Sequence, residues 1–291
     1  MLQFLAAPFA ASLILTGIHA YLGVHVVERG VIFVDLSLAQ IAALGATIAL
    51  LLPFSNGDPH APFVYWISLA FTFIGALVFS TIRSRRARIP QEAIIGICYA
   101  VASAAAILAM SKATSESEHL KDMLVGNILA VSWPEVGKTA MLYGVIGAFH
   151  YIFRRKFLAI SMDPQRAEAE GISIKLWDFL FYASFGFVVT SSVAIAGVLL
   201  VFCYLIVPSV AAMLYADTIG RRLAIGWSMG TLVSALGVYL SLLLDLPTGA
   251  TIVCTFGLVL ILMALVRPLF RSVAEDDHQV NYVDRAHGAS R

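Results

Sequence analysis

Between His19 and Gln40 the sequence HAYLGVHVVERGVIFVDLSLAQ places two imidazoles, two carboxylates and an amide among apolar residues. Imidazole and carboxylate together suit zinc, iron or manganese. Ionisable groups in membrane-depth sequence are costly and usually face a partner or a water-filled path. His19, His25, Asp35 and Gln40 are therefore candidate ligands along a metal or substrate path. Their spacing is not that of a finished site. His19 and His25 fall on different helix faces, as do Asp35 and Gln40, and only His25 and Glu28 stand at i,i+3. The bland reading is a pair of helix ends at an interface, with His25, Glu28 and Arg29 wetted and His19 bonded to a neighbouring helix. That reading is preferred for His19; for Asp35 both readings stand.

A second polar stretch, SMDPQRAEAEGISIK at Ser161–Lys175, lies between two apolar runs. Asp163 suits a helix N-cap, and Pro164 is preset for the first turn. Glu168, Ala169 and Glu170 follow, and Gly171 can end the helix in a left-handed conformation. The pattern predicts a short surface helix over Asp163–Gly171, either an ordinary loop helix or a docking helix for a cytoplasmic partner. A third stretch, LDLPTGATIVCTFG at Leu244–Gly257, reads as a tight turn at Asp245, Pro247 and Gly249. Gly226 and Gly230 before it have the spacing that lets helices pack closely. Nucleotide-binding GxxxxGK[ST], HExxH and GxSxG motifs do not occur. If the protein works by ATP, another subunit hydrolyses it, and the chain itself is not an enzyme.

The elements that hold these residues follow from composition. The 291 residues are 60% hydrophobic and 13% charged, with a mean hydropathy of +0.87. Soluble domains run at about 45–50% apolar and about 25% charged. A soluble enzyme, a nucleic-acid binder and a disordered chain are disfavoured, and an all-α polytopic membrane protein remains. A span needs roughly 20 apolar residues. Nine runs qualify as candidates: Phe4–Val27, Val31–Leu52, Phe63–Ile82, Ala93–Met110, Ala140–Phe153, Phe179–Ile195, Val198–Tyr215, Leu223–Leu244 and Thr251–Val266. The fifth is short and can begin near Trp133. The sixth and seventh touch at Ala196–Gly197, so eight or nine spans are expected. Cys98, Cys203 and Cys254 sit inside such runs and read as small hydrophobes.

Basic residues set the orientation. With nine spans, all 19 Lys and Arg except Lys112, Lys121 and Lys138 fall on one side. That side is expected to be cytoplasmic, with the C-terminus on it and the N-terminus outside. Residues 1–273 then form one transmembrane domain, and 274–291, with His278 and His287, a flexible cytoplasmic tail.

The stretches FVDLSLAQIAALGATIALLL at Phe33–Leu52, DMLVGNILAVS at Asp122–Ser132, DPQRAEAEGI, GVLLVFCYLIVPSVAAMLYA and LDLPTGATIV resemble the permease subunits of bacterial ABC importers for zinc, manganese and iron. The likeness runs from about His19 to Val266. It implies a permease of the inner membrane working with a second permease copy, a homodimer or a pair. It further implies a cytoplasmic ABC ATPase docked on the DPQRAEAEGI loop as coupling helix, and an extracytoplasmic metal-binding protein. The divalent metal is substrate, ATP belongs to the partner, and no covalently bound cofactor or nucleic acid is implied. One departure stands out. The family's second span usually carries an Asp followed four residues later by a His, whereas here Asp35 is followed by Ala39, with Gln40 beside it. A metal chelate or another small solute is the alternative cargo, and a non-transporting membrane scaffold the alternative class.

Overall fold

The computed structural model of the chain describes residues 2–55, 58, 61–82, 89–111 and 128–267. Its long helices are α1 (Leu2–Arg29), α2 (Val34–Leu51), α3 (Pro62–Ile82), α4 (Gln91–Met110) and α5 (Trp133–Ile152). Two short helices follow, α6 (Arg154–Met162) and α7 (Pro164–Ala169), then α8 (Ile174–Tyr215) and α9 (Ile219–Leu244). The last is α10 (Thr248–Arg267). Among the described residues there is no β-strand, and seven helices are long and apolar enough to cross a membrane. Helix α5, which begins at Trp133, is not one of the seven; Glu135 and Lys138 stand in its first turns. The fold is that of an all-α, multi-span membrane protein. The loop of Arg83, Arg85, Arg86 and Arg88, the segment of Lys112, Lys121 and Asp122, and the tail 274–291 lie outside the described residues.

Side chains are distributed for lipid rather than water. Trp66, Leu108, Met141, Leu232, Tyr239 and Leu265 point outward and are more than half exposed. Ser12, His19, Ser192, Ser209 and Ser234 are inside. Several of these hydroxyls donate to the carbonyl four residues earlier, as Ser209 does to Leu205 O at 2.8 Å and Ser234 to Gly230 O at 2.6 Å. That satisfies a polar group where water is absent. Small residues then bring helices together. A Cβ on Gly230 would lie 2.4 Å from Thr16 Cγ2, and one on Gly23 would lie 1.9 Å from Leu205 O. Gly226 and Gly230 of α9 are packing residues, as their spacing suggests.

Helix α8 is the centre of the bundle and contacts α1, α2, α3, α5 and α9. It has 42 residues, about 63 Å if straight at 1.5 Å per residue, roughly twice the hydrocarbon thickness. It is not straight. Gly197 has φ 74 and ψ 162, a region essentially reserved for glycine. The contacts on either side show a reversal. Asp178, near the start of α8, bonds Arg29 at the end of α1. Arg222 bonds both Ala216 O, just past the end of α8, and Glu28 of α1. Both ends of α8 therefore lie at the same end of the bundle, and its halves run up and back. The junction at Ala196–Gly197 is thus a turn between two crossings rather than one long broken helix. Gln91 reaches Phe79 O and Tyr182 Oη, and Tyr215 Oη reaches Met263 O at 2.5 Å. These contacts place the end of α3, the start of α4 and the end of α10 at that end too. Arg29, Lys175, Arg222 and Arg267 accordingly share one face.

Candidate functional site

Helix α2 starts in a tight turn after α1. Gly30 has φ 67, Val31 N–H donates to Val26 O at 3.2 Å, and the chain reverses within a few residues. This turn sets Asp35 in the first turn of α2, where the helix N-terminus favours negative charge. Asp35 is 2% exposed. Its Oδ1 has no hydrogen-bond partner among the described residues. Its electrostatic neighbours are Glu92 of α4 and Cys203 of α8. Ala39, one turn on, is buried, whereas Gln40 is half-buried and points away from the Asp35 face. No group of three or more His, Cys, Asp or Glu side chains able to hold a metal occurs among the described residues.

The histidines lie elsewhere. His19 is fully buried between α1, α5 and α8, with Nδ1 against Leu15 O at 2.8 Å and Nε2 against Ser192 Oγ at 3.2 Å. This is the packing arrangement preferred for it from sequence. His25 is 1% exposed, with Nδ1 at 2.8 Å from Ser161 Oγ. The alternative in which His25, Glu28 and Arg29 form a wetted helix end therefore does not hold. His25 does not pair with Glu28, which bonds Arg222 instead. Arg29 is drawn inward because Asp178 waits for it at 2.7 Å with both side chains inaccessible. Its guanidinium lies 3.9 Å from the centroid of the Phe181 ring, and its Nε donates to Ser161 at 2.8 Å.

Sequence reasoning passed over Asp178, His150 and Glu92. His150 is 1% exposed and bonds Ser184 at 2.8 Å. Each is a polar residue at the edge of an apolar run, and that contrast was the available signal.

The short helix is built as its residues require. Asp163 caps it by accepting from Arg166 N–H at 3.0 Å. Helix α7 spans Pro164–Ala169, slightly shorter than the expected Asp163–Gly171, because the flanking residues are its caps. Gly171 N–H donates to Glu168 O and Ile172 N–H to Ala167 O, both at 3.0 Å. With Gly171 at φ 78, this is a Schellman ending. Ala167 is buried and anchors the helix, while Asp163, Glu168, Ala169 and Glu170 are exposed. Glu170 accepts from Arg166 Nε at 2.8 Å and raises the guanidinium pKa.

A helical bundle of this kind, with an exposed capped helix at its basic end, is that of a multi-span membrane protein. Residues 1–267 match the ABC 3 transport family, and the chain belongs to that family. It is 26% identical over 217 residues to the manganese transport system membrane protein MntC of Listeria monocytogenes, covering 72% of this chain and 77% of that protein. It is also 26% identical over 268 residues to the chelated iron transport system membrane protein YfeC of Yersinia pestis, covering 89% and 88%. The solved structure of PsaBC from Streptococcus pneumoniae in complex with Fab superposes with a TM-score of 0.71 at 22% identity, covering 89% of this chain and 90% of that one.

Proposed function

We propose that this chain is the membrane-spanning subunit of an ATP-driven importer of a divalent transition metal: manganese, iron or zinc. The observation that carries the reading is Asp35, a carboxylate buried within the bundle with one oxygen unpartnered among the described residues. A passing dication gains more from such a group than any neutral solute does. Relatives bearing manganese and iron transport names support the same cargo. The name of the Yersinia pestis relative favours a second reading, in which the ion travels as a chelate.

In this reading the chain sits in a bacterial inner membrane with its basic end and C-terminus in the cytoplasm, crossing nine times. A second permease copy completes the path. An extracytoplasmic protein delivers the metal, and a cytoplasmic ATPase docks on Asp163, Pro164, Glu168, Ala169 and Gly171. Helix α7 is suited to coupling because it is exposed, rigidly capped and anchored through Ala167. Uptake of radioactive manganese, iron and zinc into proteoliposomes holding permease, ATPase and binding protein tests the proposal. ATP-dependent uptake of a free ion is expected. Uptake only of chelated metal would favour the second reading, and uptake of neither would end both.

The docking role makes its own prediction. Gly171→Val puts a β-branched residue at positive φ, costing roughly 1–2 kcal/mol locally, with open space around the position. The variant is expected to reach the membrane normally but to co-purify less ATPase, or to hydrolyse ATP without uptake. Gly171→Asn, which tolerates the left-handed conformation, is expected to retain coupling. Wild-type uptake and complex formation in Gly171→Val would remove the docking role.

A further inference from the structure

Glu92 opens helix α4, and its Oε1 accepts a hydrogen bond from Phe33 N–H at 2.9 Å. That bond pins the carboxylate to the backbone two residues before Asp35. Its other oxygen, Oε2, is buried and, like Asp35 Oδ1, has no hydrogen-bond partner among the described residues. The two carboxylates lie within electrostatic range of each other. Phe33 and Phe202 stack nearly parallel, 8° apart in plane with centroids at 6.4 Å, which fixes the start of α2 against α8. Two neighbouring acidic groups, each with an idle buried oxygen, repel one another unless a proton or a cation lies between them.

We propose that Glu92 is the second carboxylate of a transit site centred on Asp35, and that this all-oxygen pair selects hard divalent ions. The inference rests on the metal-importer reading and adds a ligand and a selectivity to it. With Ala39 where an imidazole would stand on the Asp35 face, the available donors are carboxylate oxygens, which suit manganese and similar ions better than softer ones. Two protein ligands leave such an ion most of its water shell. That fits a site from which cargo must depart, since conduction needs binding strong enough for uptake yet weak enough for release. Among the described residues neither carboxylate has an ion-pair partner. Capping of α2 accounts for Glu92 Oε1 but not for Oε2.

The test uses the purified permease–ATPase complex in lipid nanodiscs, titrated with manganese chloride and read by loss of the free aqueous Mn²⁺ electron paramagnetic resonance signal. Wild type is expected to bind one ion per permease chain, with zinc competing poorly. Glu92→Gln is expected to weaken binding about tenfold or more, the loss of one charged ligand. Glu92→Asp is expected to recover part of it. Asp35→Asn combined with Glu92→Gln is expected to be little worse than either alone, because one shared site is lost once. Melting in excess chelator separates a merely structural role. Relief of repulsion leaves Glu92→Gln as stable as wild type or more so, whereas a pure helix-capping residue would lower the melting temperature and leave manganese affinity unchanged. Unchanged affinity in Glu92→Gln, in a complex that imports manganese, overturns the inference and leaves the importer reading standing. A wild-type complex that neither binds nor imports free manganese overturns both.

Discussion

Asp35→Asn is expected to cut metal uptake about tenfold or more while membrane abundance and ATPase assembly stay at wild-type levels. The substitution keeps the shape of the side chain and removes only the charge. Asp35 is 2% exposed and makes no ion pair among the described residues, so the fold has little to lose. An ionised carboxylate with a buried oxygen unpartnered among the described residues is costly. A passing dication offsets that cost, and a neutral amide has none to offset. The defect should therefore appear in transport and not in assembly. Gln40→His is the companion control: the side chain points away from the Asp35 face, so an imidazole there is expected to leave metal selectivity unchanged. Both variants can be read in a metal-auxotrophic strain, with quantitative immunoblots of membrane fractions alongside. Wild-type uptake by Asp35→Asn across a range of metal concentrations would make Asp35 a packing residue and remove the proposed path.

The contrast between Asp163–Gly171 and Arg29–Asp178 shows which interactions sequence can reveal. Asp163, Pro164 and Gly171 act on backbone groups within a few residues of themselves, so cap, first turn and left-handed ending could be read directly. The apolar runs were equally legible, because a helix in lipid must satisfy its own backbone and so announces itself by hydropathy alone. The reversal at Gly197 followed from the same local chemistry combined with the sidedness of Lys175, Arg221 and Arg222. Arg29 and Asp178 are separated by 149 residues, and nothing near either one signals the other. The wetted alternative stood open for Arg29 and His25 because their partners were invisible, the Ser161 partner of His25 being 136 residues away. Asp35 was found as a candidate, since a carboxylate at the head of an apolar run stands out. Glu92 was not, because an acidic residue in the first turn of a helix is ordinary, and only its idle buried oxygen distinguishes it.

The buried pair leads to the largest stability effect expected for this chain. Arg29 joins three elements. It bonds Asp178 of α8 at 2.7 Å, donates to Ser161 of α6 at 2.8 Å and lies over the Phe181 ring. Ser161 in turn holds His25 of α1 and stands two residues before the Asp163 cap of α7. Asp178→Ala would remove the carboxylate bonded to a guanidinium where neither side chain touches solvent. Removing one partner of such a pair costs about 3–5 kcal/mol. For a chain of this size that corresponds to a fall in melting temperature on the order of 10 °C. Replacing both partners, Arg29→Met with Asp178→Leu, leaves no charge to strand and is expected to restore most of the loss. The restored protein would still lack the Arg29–Ser161 bond and keep only the His25–Ser161 link from α1 toward α7. It is therefore expected to bind the ATPase normally yet turn over ATP with reduced uptake, which a merely structural pair would not produce. Thermal unfolding in detergent and the ratio of ATP hydrolysed to metal imported measure the two effects separately. A melting temperature for Asp178→Ala within a degree or two of wild type would show that the pair does not hold the bundle. Full coupling in the double variant would show that it does not link α1 to the docking helix.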